Sequence, residues 1–243
     1  MGFKPVGRLF YKHRWKLESN TYFCIFGMGK DKLRRFAEIE TFSNVLQLDA
    51  GKVYKGNWNA GFFKNNNPVV LELACGKGEY TVNLAQMFPD KNFIGIDYKG
   101  NRIWRGAKTA IEDGVPNVAF IRMQIETLTE FFAPREVDEI WITFPDPQPQ
   151  LSREKKRLTS PRFLNMYQIV LKPCGAVNLK TDNDGFYAYS ADKVDELKLK
   201  LHIKTEDLYH SEYADEVLSI KTYYEKKYLK DNKNINYLKF SFE

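Results

Sequence analysis

From residue 68 onward, short apolar runs alternate with longer stretches in which apolar side chains recur every three or four positions. The short runs are rich in Val, Ile, Leu and Phe, which is typical of strands buried on both faces of a sheet. The longer stretches have the spacing of amphipathic helices. This alternation predicts an α/β domain over residues 68–243, with a mostly parallel sheet and helices on both of its faces.

The predicted elements have recognisable ends. Parallel strands are predicted at "PVVLELA", "NFIGID", "NVAFIRM", "VDEIWITF" and "GAVNLKTD", and helices at "EYTVNLAQMF", "NRIWRGAKTAIEDG", "ETLTEFF", "SPRFLNMYQIVL" and "FYAYSADKVDELKLK". Pro89 and Gly114 suit helix ends, whereas Ser160 and Pro161 suit a helix start. The final "NINYLKFSFE" favours β structure, so we expect an antiparallel C-terminal strand at the edge of the sheet.

The first 67 residues are less regular. Residues 28–67 contain "NWNAGFFKNNNP" and are interpreted as a cover over one face of the sheet. Residues 1–27 are basic and aromatic but have no continuous apolar core, and they form an N-terminal extension. This extension is a disordered RNA-binding arm, a weak targeting segment or the product of a mis-assigned start. We favour the last interpretation because "MGKDKLRRFAE" from Met28 reads as a natural beginning.

Charge and composition narrow the class of protein. The net charge of +6 suits an anionic partner such as nucleic acid. Three widely spaced cysteines and three scattered histidines indicate neither a disulfide framework, a metal site nor a histidine-based triad. No apolar run approaches the length of a membrane span. We therefore expect a cytoplasmic protein without a metal or a membrane partner, and a monomer by default.

A glycine turn follows the first predicted strand. Gly76 and Gly78 lie where that strand turns into a helix, a position where backbone can approach an anionic or polar ligand closely. The dinucleotide fingerprint requires a third glycine where this chain has Thr81. Instead, Glu72 precedes the turn, and Asp97 ends the second strand about twenty positions beyond the glycines, as expected of a ribose-binding acid. This combination is similar to the S-adenosylmethionine loop of Rossmann-like methyltransferases.

Two further carboxylates end predicted strands. Asp146 follows the fourth strand and Asp182 the fifth, so both should lie at the same sheet edge as Asp97. Turn chemistry is the alternative explanation for either residue alone. A proline-rich turn after Asp146 leads into four cations, which could equally be a solvated surface or a phosphate-binding loop. These cations are Arg153, Lys155, Lys156 and Arg157.

The motifs "FPDP", "KKRLT", "LKTDN" and "TYYE" together resemble the bacterial tRNA (guanine-N7)-methyltransferases over residues 28–243. The resemblance implies a Rossmann-like class I methyltransferase fold and methyl transfer from S-adenosylmethionine to N7 of a guanine in the tRNA variable loop. It assigns catalysis to Asp146 and Asp182. It assigns cofactor binding to Glu72, Gly76, Gly78, Asp97, Gln124 and Asp146. It assigns substrate binding to Gln150, Arg153, Lys155, Lys156, Arg157, Asp182, Thr222, Tyr223, Tyr224 and Glu225.

The chain departs from the family pattern at several positions. Gln148 stands where a tryptophan is usual, and the segment 150–153 replaces a more basic run. Gln124 stands where an acid is usual, although its amide oxygen can accept a hydrogen bond in the same way. Two other functions use this fold: a small-molecule methyltransferase and a non-catalytic RNA-binding protein. The basic loop and "TYYE" argue against the first, and the intact acids and glycines argue against the second.

Overall fold

A single eight-stranded sheet organises the computed structural model, which describes residues 30–242. The interpretation of residues 1–27 therefore lies outside the described residues. The strands are β1 (Val45–Gln47), β2 (Val69–Leu73), β3 (Asn92–Asp97), β4 (Val118–Arg122), β5 (Val137–Thr143), β6 (Leu171–Thr181), β7 (Lys200–Thr205) and β8 (Asn236–Ser241). Their order across the sheet is β1-β4-β3-β2-β5-β6-β8-β7.

Seven α-helices surround the sheet within the described range. They are α1 (Lys30–Ile39), α2 (Glu79–Met87), α3 (Gly100–Glu112), α4 (Leu128–Phe131), α5 (Pro161–Val170), α6 (Asp184–Glu196) and α7 (Tyr223–Lys230). Short 3-10 turns span Leu48–Tyr54, Ile125–Thr127, Leu151–Lys156 and Leu208–His210, and one π-helical turn spans Trp58–Phe63. As predicted, α5 begins at Pro161, and Gly114 follows α3 with a φ of 65°.

The strand directions confirm the predicted fold class. Strands β1 to β6 are parallel to their neighbours among themselves, and β8 runs antiparallel to β6. The C-terminal strand is not outermost, however, because β7 pairs antiparallel with its other side. Sequence analysis missed β7 because "KLHIKT" is charged and largely exposed, a composition that protects an edge strand from further pairing.

Two apolar cores cover the two faces of the sheet. One core joins the strands to α4, α5 and α6, and the other joins them to α1, α2 and α3. The segment before β2 contributes side chains to both cores. Ile39 is buried in the second core, whereas Trp58 stacks on Phe132 in the first, with ring centroids 5.4 Å apart. The segment also contributes β1 to the sheet edge. It is thus an integral part of the fold rather than a cover over one face.

The parallel strands place the predicted site residues at one edge of the sheet. Because β2 to β6 all point the same way, the segments that follow them meet at the carboxyl edge of the sheet. Asp97, Gln124, Asp146 and Asp182 come from four different connections at this edge. Among residues 30–242, no helix is long and apolar enough to cross a membrane.

Candidate active site

A cavity of about 390 Å³ opens at the carboxyl edge of the sheet. This volume is within the range of small-molecule sites in proteins. Four of the predicted site residues line it: Asp97, Gln124, Asp146 and Lys156. Its apolar wall is formed by Ala74, Met123, Ile125, Leu158 and Phe163. The cavity therefore combines polar groups at strand ends with an apolar surface that suits a flat ring.

Asp97 lines the polar side of this cavity and holds Gly76 next to it. The Asp97 carboxylate accepts hydrogen bonds from Gly76 N at 3.0 Å and from Lys99 N at 2.7 Å, which holds the glycine loop against the end of β3. Gly76 has a φ of 58°, and a Cβ built there would meet only the Ala74 carbonyl oxygen, at 4.0 Å. The loop therefore presents bare backbone to open space, as a ligand-binding turn requires.

Gly78 has a different role. A Cβ at this position would lie 2.5 Å from the Phe120 ring and 3.3 Å from Gly106 Cα. Gly78 thus lets the start of α2 pack directly onto β4 and α3. The sequence assigns Gly78 to cofactor binding, but the structure uses its missing side chain for packing.

Alanine at the two glycines should therefore have different effects. Gly78→Ala should lower the free energy of unfolding by about 2–4 kcal/mol, because overpacking adds to backbone strain. Gly76→Ala should cost only about 1–2 kcal/mol, the strain of its positive φ, but should weaken S-adenosylmethionine binding. Urea unfolding and titration calorimetry on the two variants measure these effects. Equal destabilisation by both substitutions would contradict the separation of roles.

Glu72 lies beneath the glycine loop and does not line the cavity. Its buried carboxylate accepts hydrogen bonds from Thr143 Oγ1 at 2.6 Å, from Thr81 N at 2.8 Å and from the Thr81 hydroxyl. Burial raises the pKa of Glu72 to about 7, against the lowering effect of these hydrogen bonds. The sequence assigns Glu72 to cofactor contact; in the structure it joins the end of β5 to the start of α2 and so positions the loop.

The pKa of Glu72 predicts a pH dependence of stability. Between pH 4.5 and about 7 the unfolded chain has lost the Glu72 proton that the folded chain retains. Stability from this group is therefore present at low pH and is lost as pH rises to about 7, by about 3 kcal/mol. The free energy of unfolding of the wild type minus that of Glu72→Gln should fall by this amount from pH 5 to pH 8. A pH-independent difference in urea titrations would refute the assignment.

Asp146 is held at the cavity mouth by a strained turn. The chain leaves β5 through Phe144, with a φ of 50°, and Asp146 then accepts a hydrogen bond from Gln148 N at 3.1 Å. The Asp146 side chain is exposed and lines the cavity, as the sequence predicts for a residue acting on a ligand there. Asp182 does not line this cavity; it is partly buried and pairs with Lys233 Nζ at 3.1 Å.

The predicted basic loop divides into two parts. Gln150, Arg153, Lys155 and Lys156 are exposed around the 3-10 turn Leu151–Lys156, and Lys156 reaches the cavity. Arg157 instead turns inward. Its Nε donates to Gln148 O at 3.1 Å, a terminal nitrogen donates to Pro149 O at 3.4 Å, and the guanidinium lies 4.3 Å from the Tyr189 ring centroid. Arg157 thus fixes the proline-rich turn that follows Asp146, and these contacts favour a positioning role over the predicted RNA contact.

Arg157→Lys should therefore impair catalysis without weakening RNA attraction. Lysine cannot reproduce the paired donors or the stacked guanidinium, so the Asp146 turn should shift and kcat should fall by about 10- to 100-fold. The dependence of tRNA binding on salt concentration should stay unchanged, because no phosphate contact is lost. Arg153→Gln is the matched control: it should leave kcat unchanged and reduce the dependence of tRNA binding on salt concentration. A reduced salt dependence in Arg157→Lys would return this residue to the RNA interface.

The "TYYE" segment starts helix α7. Thr222 and Glu225 form a capping box, with Glu225 N donating to Thr222 Oγ1 at 3.2 Å and Thr222 N donating to Glu225 Oε2 at 3.3 Å. Glu225 is fully buried and lies 2.8 Å from Lys180 Nζ. Tyr223 and Tyr224 remain 56% and 45% exposed. Thr222 and Glu225 therefore have a structural role at the start of α7, and their predicted substrate contact stays a prediction. The two tyrosines are accessible to a ligand.

Comparisons with known proteins show which family has this site. Residues 66–238 match the family model described as "Putative methyltransferase". The tRNA (guanine-N(7)-)-methyltransferase of Christiangramia forsetii is 50% identical over 222 residues, covering 88% of this chain and 99% of that protein. The chain belongs to the tRNA (guanine-N7)-methyltransferase family. The family member from Bacteroides thetaiotaomicron is 47% identical over 219 residues, covering 88% of this chain and 86% of its own length.

Solved structures agree with this methyltransferase fold. The 16S rRNA methyltransferase KamB superposes with a TM-score of 0.56, covering 73% of this chain and 88% of its own, at 17% sequence identity. At this identity the likeness concerns the fold alone. Together these comparisons confirm the family and the fold predicted from the motifs.

The sequence reasoning missed the apolar wall of the site. Met123 and Ile125 flank the predicted Gln124, and Leu158 and Phe163 follow the basic loop. Their signal in the sequence is weak, because an apolar residue beside a strand end is more often core than ligand wall.

Among residues 30–242 there is also no grouping of three or more His, Cys, Asp or Glu side chains that would hold a metal ion.

Proposed function

We propose that the protein transfers a methyl group from S-adenosylmethionine to N7 of a guanine in the tRNA variable loop. The observation that carries this proposal is the cavity where Asp97 and Asp146 meet beside exposed Lys156, with the open backbone of Gly76 hydrogen-bonded to Asp97. Its family relatives are named for methylation of tRNA guanine at N7.

The cavity suits the cofactor. The Asp97 carboxylate can accept hydrogen bonds from ribose hydroxyls, and the apolar wall with the Gln124 amide suits adenine. Bare backbone at Gly76 leaves room for the amino-acid part. When bound, S-adenosylmethionine supplies an activated methyl group on a positively charged sulfur. These residues would hold the cofactor in the cavity that Asp146 also lines.

The chemistry requires alignment rather than a general base. Guanine N7 has an in-plane lone pair and no proton, so the N–C bond can form directly as the C–S bond breaks. The positive charge of the sulfur moves to the purine in this step. Asp146, at the cavity mouth, faces this growing charge. Asp182 lies outside the cavity, and it holds the guanine N1 and N2 donors once it leaves its pair with Lys233. A fixed negative group at the site of charge transfer lowers the barrier.

The exposed side chains around the cavity suit RNA. Arg153, Lys155 and Lys156 can bind phosphates. The guanine has to leave its tertiary contacts to reach the cavity, as for other enzymes acting on bases. Tyr223 and Tyr224 are exposed aromatic rings on which the extruded base can stack.

The decisive experiment supplies labelled S-adenosylmethionine and unmodified tRNA to the protein. Borohydride and aniline treatment then cleaves the RNA at 7-methylguanosine. We expect label in the tRNA and cleavage at one variable-loop guanine, and neither result with tRNA already methylated at that position. Cofactor binding without transfer to any tRNA would overturn the proposal and favour a small-molecule substrate.

A further inference from the structure

Helix α7 has a basic face opposite its buried face. Tyr223, Lys226, Lys227 and Lys230 fall within about 100° of the helix circumference. All four are exposed. The opposite side carries Glu225, Tyr228 and Leu229, which pack against the protein. The helix therefore presents one aromatic ring and three ammonium groups to solvent as a continuous surface, here called the α7 face.

The α7 face is anchored to the start of α2, to β6 and to the glycine loop. Tyr223 N donates to Glu79 Oε2 at 3.0 Å, which joins the start of α7 to the start of α2. The buried pair of Glu225 and Lys180 joins it to β6. Lys77, in the glycine loop, lies over the Tyr223 ring with its Nζ 4.3 Å from the centroid. The basic surface thus reaches from α7 to the edge of the cofactor loop.

The ammonium groups of the α7 face have no acidic partners in the structure. Many other lysines do: Lys52, Lys108, Lys172, Lys193 and Lys233 all lie within 4.0 Å of a carboxylate. Within residues 30–242, none of Lys226, Lys227 and Lys230 forms such a pair. Three adjacent cations that no carboxylate neutralises attract an extended anion.

The α7 face and the basic loop lie on opposite sides of the sheet. Leu158 and Phe163, next to the basic loop, belong to the core with α5 and α6. Tyr228 and Leu229 of α7 belong to the core with α2 and α3. Both basic surfaces reach the carboxyl edge, where Asp146 and Asp182 follow β5 and β6. A polyanion bound to both surfaces would cross the edge above the carboxylates.

We propose that the α7 face is a second binding surface for the phosphate backbone of the substrate tRNA. This inference rests on the proposed function. The basic loop holds the RNA on one side of the cavity and the α7 lysines hold it on the other, so the target guanine is presented between them. An exposed tyrosine among lysines is suited to nucleic acid, since a base can stack where the backbone is bound. An acidic protein segment lacks such a base.

The test compares two triple variants of the full chain. Lys226→Gln/Lys227→Gln/Lys230→Gln removes the charges of the α7 face. The control, Lys64→Gln/Lys198→Gln/Lys200→Gln, removes three exposed lysines that precede β2 or lie around the start of β7, at the opposite edge of the sheet. Both variants change the net charge equally. Equilibrium binding to unmodified tRNA is measured for each across a series of salt concentrations.

We expect the α7 variant to lower the slope of log K against log salt by about 2–3, and the control to leave it within about 0.5 of the wild type. KM for tRNA should rise in the α7 variant at unchanged affinity for S-adenosylmethionine. Equal slopes for the two triple variants would overturn the inference. An α7 variant that binds tRNA as the wild type does, but has lost binding to an acidic peptide, would also overturn it. If the wild type methylates no tRNA, the proposed function itself fails, which is a separate result.

Discussion

Asp146→Ala should lower kcat/KM for methyl transfer to tRNA by about 100-fold or more, while the protein still folds and binds S-adenosylmethionine. Asp146 is exposed at the cavity mouth and accepts a hydrogen bond from one backbone N–H, so its removal should disturb the fold little. The positive charge that develops on the purine would lose the carboxylate facing it. Loss of a single preorganised electrostatic partner typically costs this much in rate.

The conservative variant isolates the charge. Asp146→Asn keeps an oxygen that can accept from Gln148 N, so the turn should persist while the negative charge is removed. We expect most of the loss in rate to remain. Single-turnover rates with labelled cofactor separate chemistry from product release, and Asp195→Asn, on the exposed side of α6, is the control. Full activity in Asp146→Asn would show that the carboxylate has no electrostatic role.

Glu225→Ala should lower the free energy of unfolding by about 3–5 kcal/mol, the usual cost of leaving one buried charge unpaired. Lys180 and Glu225 are both completely buried. Lys180 also donates to Leu218 O at 2.8 Å and Ile220 O at 3.3 Å, and Tyr209 OH donates to Glu225 at 2.5 Å. Burial lowers the pKa of Lys180 against the opposing effect of Glu225. The variant also loses the capping box of α7.

Removing both charges should cost less than removing one. Lys180→Met/Glu225→Gln leaves no unpaired ion, so it should recover a large part of the stability lost in Glu225→Ala. Urea unfolding of Lys180→Met, Glu225→Gln and the double variant measures the coupling between the two positions. Lys233→Met, which breaks the more exposed pair with Asp182, should have a much smaller effect. An additive double variant would show that the two side chains act independently.

This prediction changes how losses of activity in the "TYYE" segment are interpreted. Substitutions at Thr222 or Glu225 should reduce tRNA methylation because α7 loses its anchor, since both residues are buried and bonded within the protein. Substitutions at Tyr223 should reduce it at unchanged stability, because that ring is exposed. Unfolding curves beside activity therefore separate positioning residues from binding residues.

Local sequence was sufficient to predict the sheet edge that carries the chemistry. Apolar runs mark β2 to β6, and parallel strands necessarily bring Asp97, Asp146 and Asp182 to one edge. The end of α3 and the start of α5 were also predictable. Gly114 and Pro161 have unusual or restricted backbone preferences, which act within a few residues. The motifs likewise predicted the family.

Side-chain direction was decided by the tertiary structure. Arg157 reads as one more cation in a basic loop, yet Tyr189 and the carbonyls of the proline-rich turn draw it inward. Glu225 is assigned to substrate binding by the resemblance, but in the structure it pairs with Lys180 of β6. A long charged side chain can reach solvent or a distant partner with equal ease, and its sequence neighbours do not record which elements pack above it. The sequence by itself determined the fold, the family and the sheet edge where the acids meet, whereas contacts between residues far apart in the chain decided which of the predicted residues are open to a ligand.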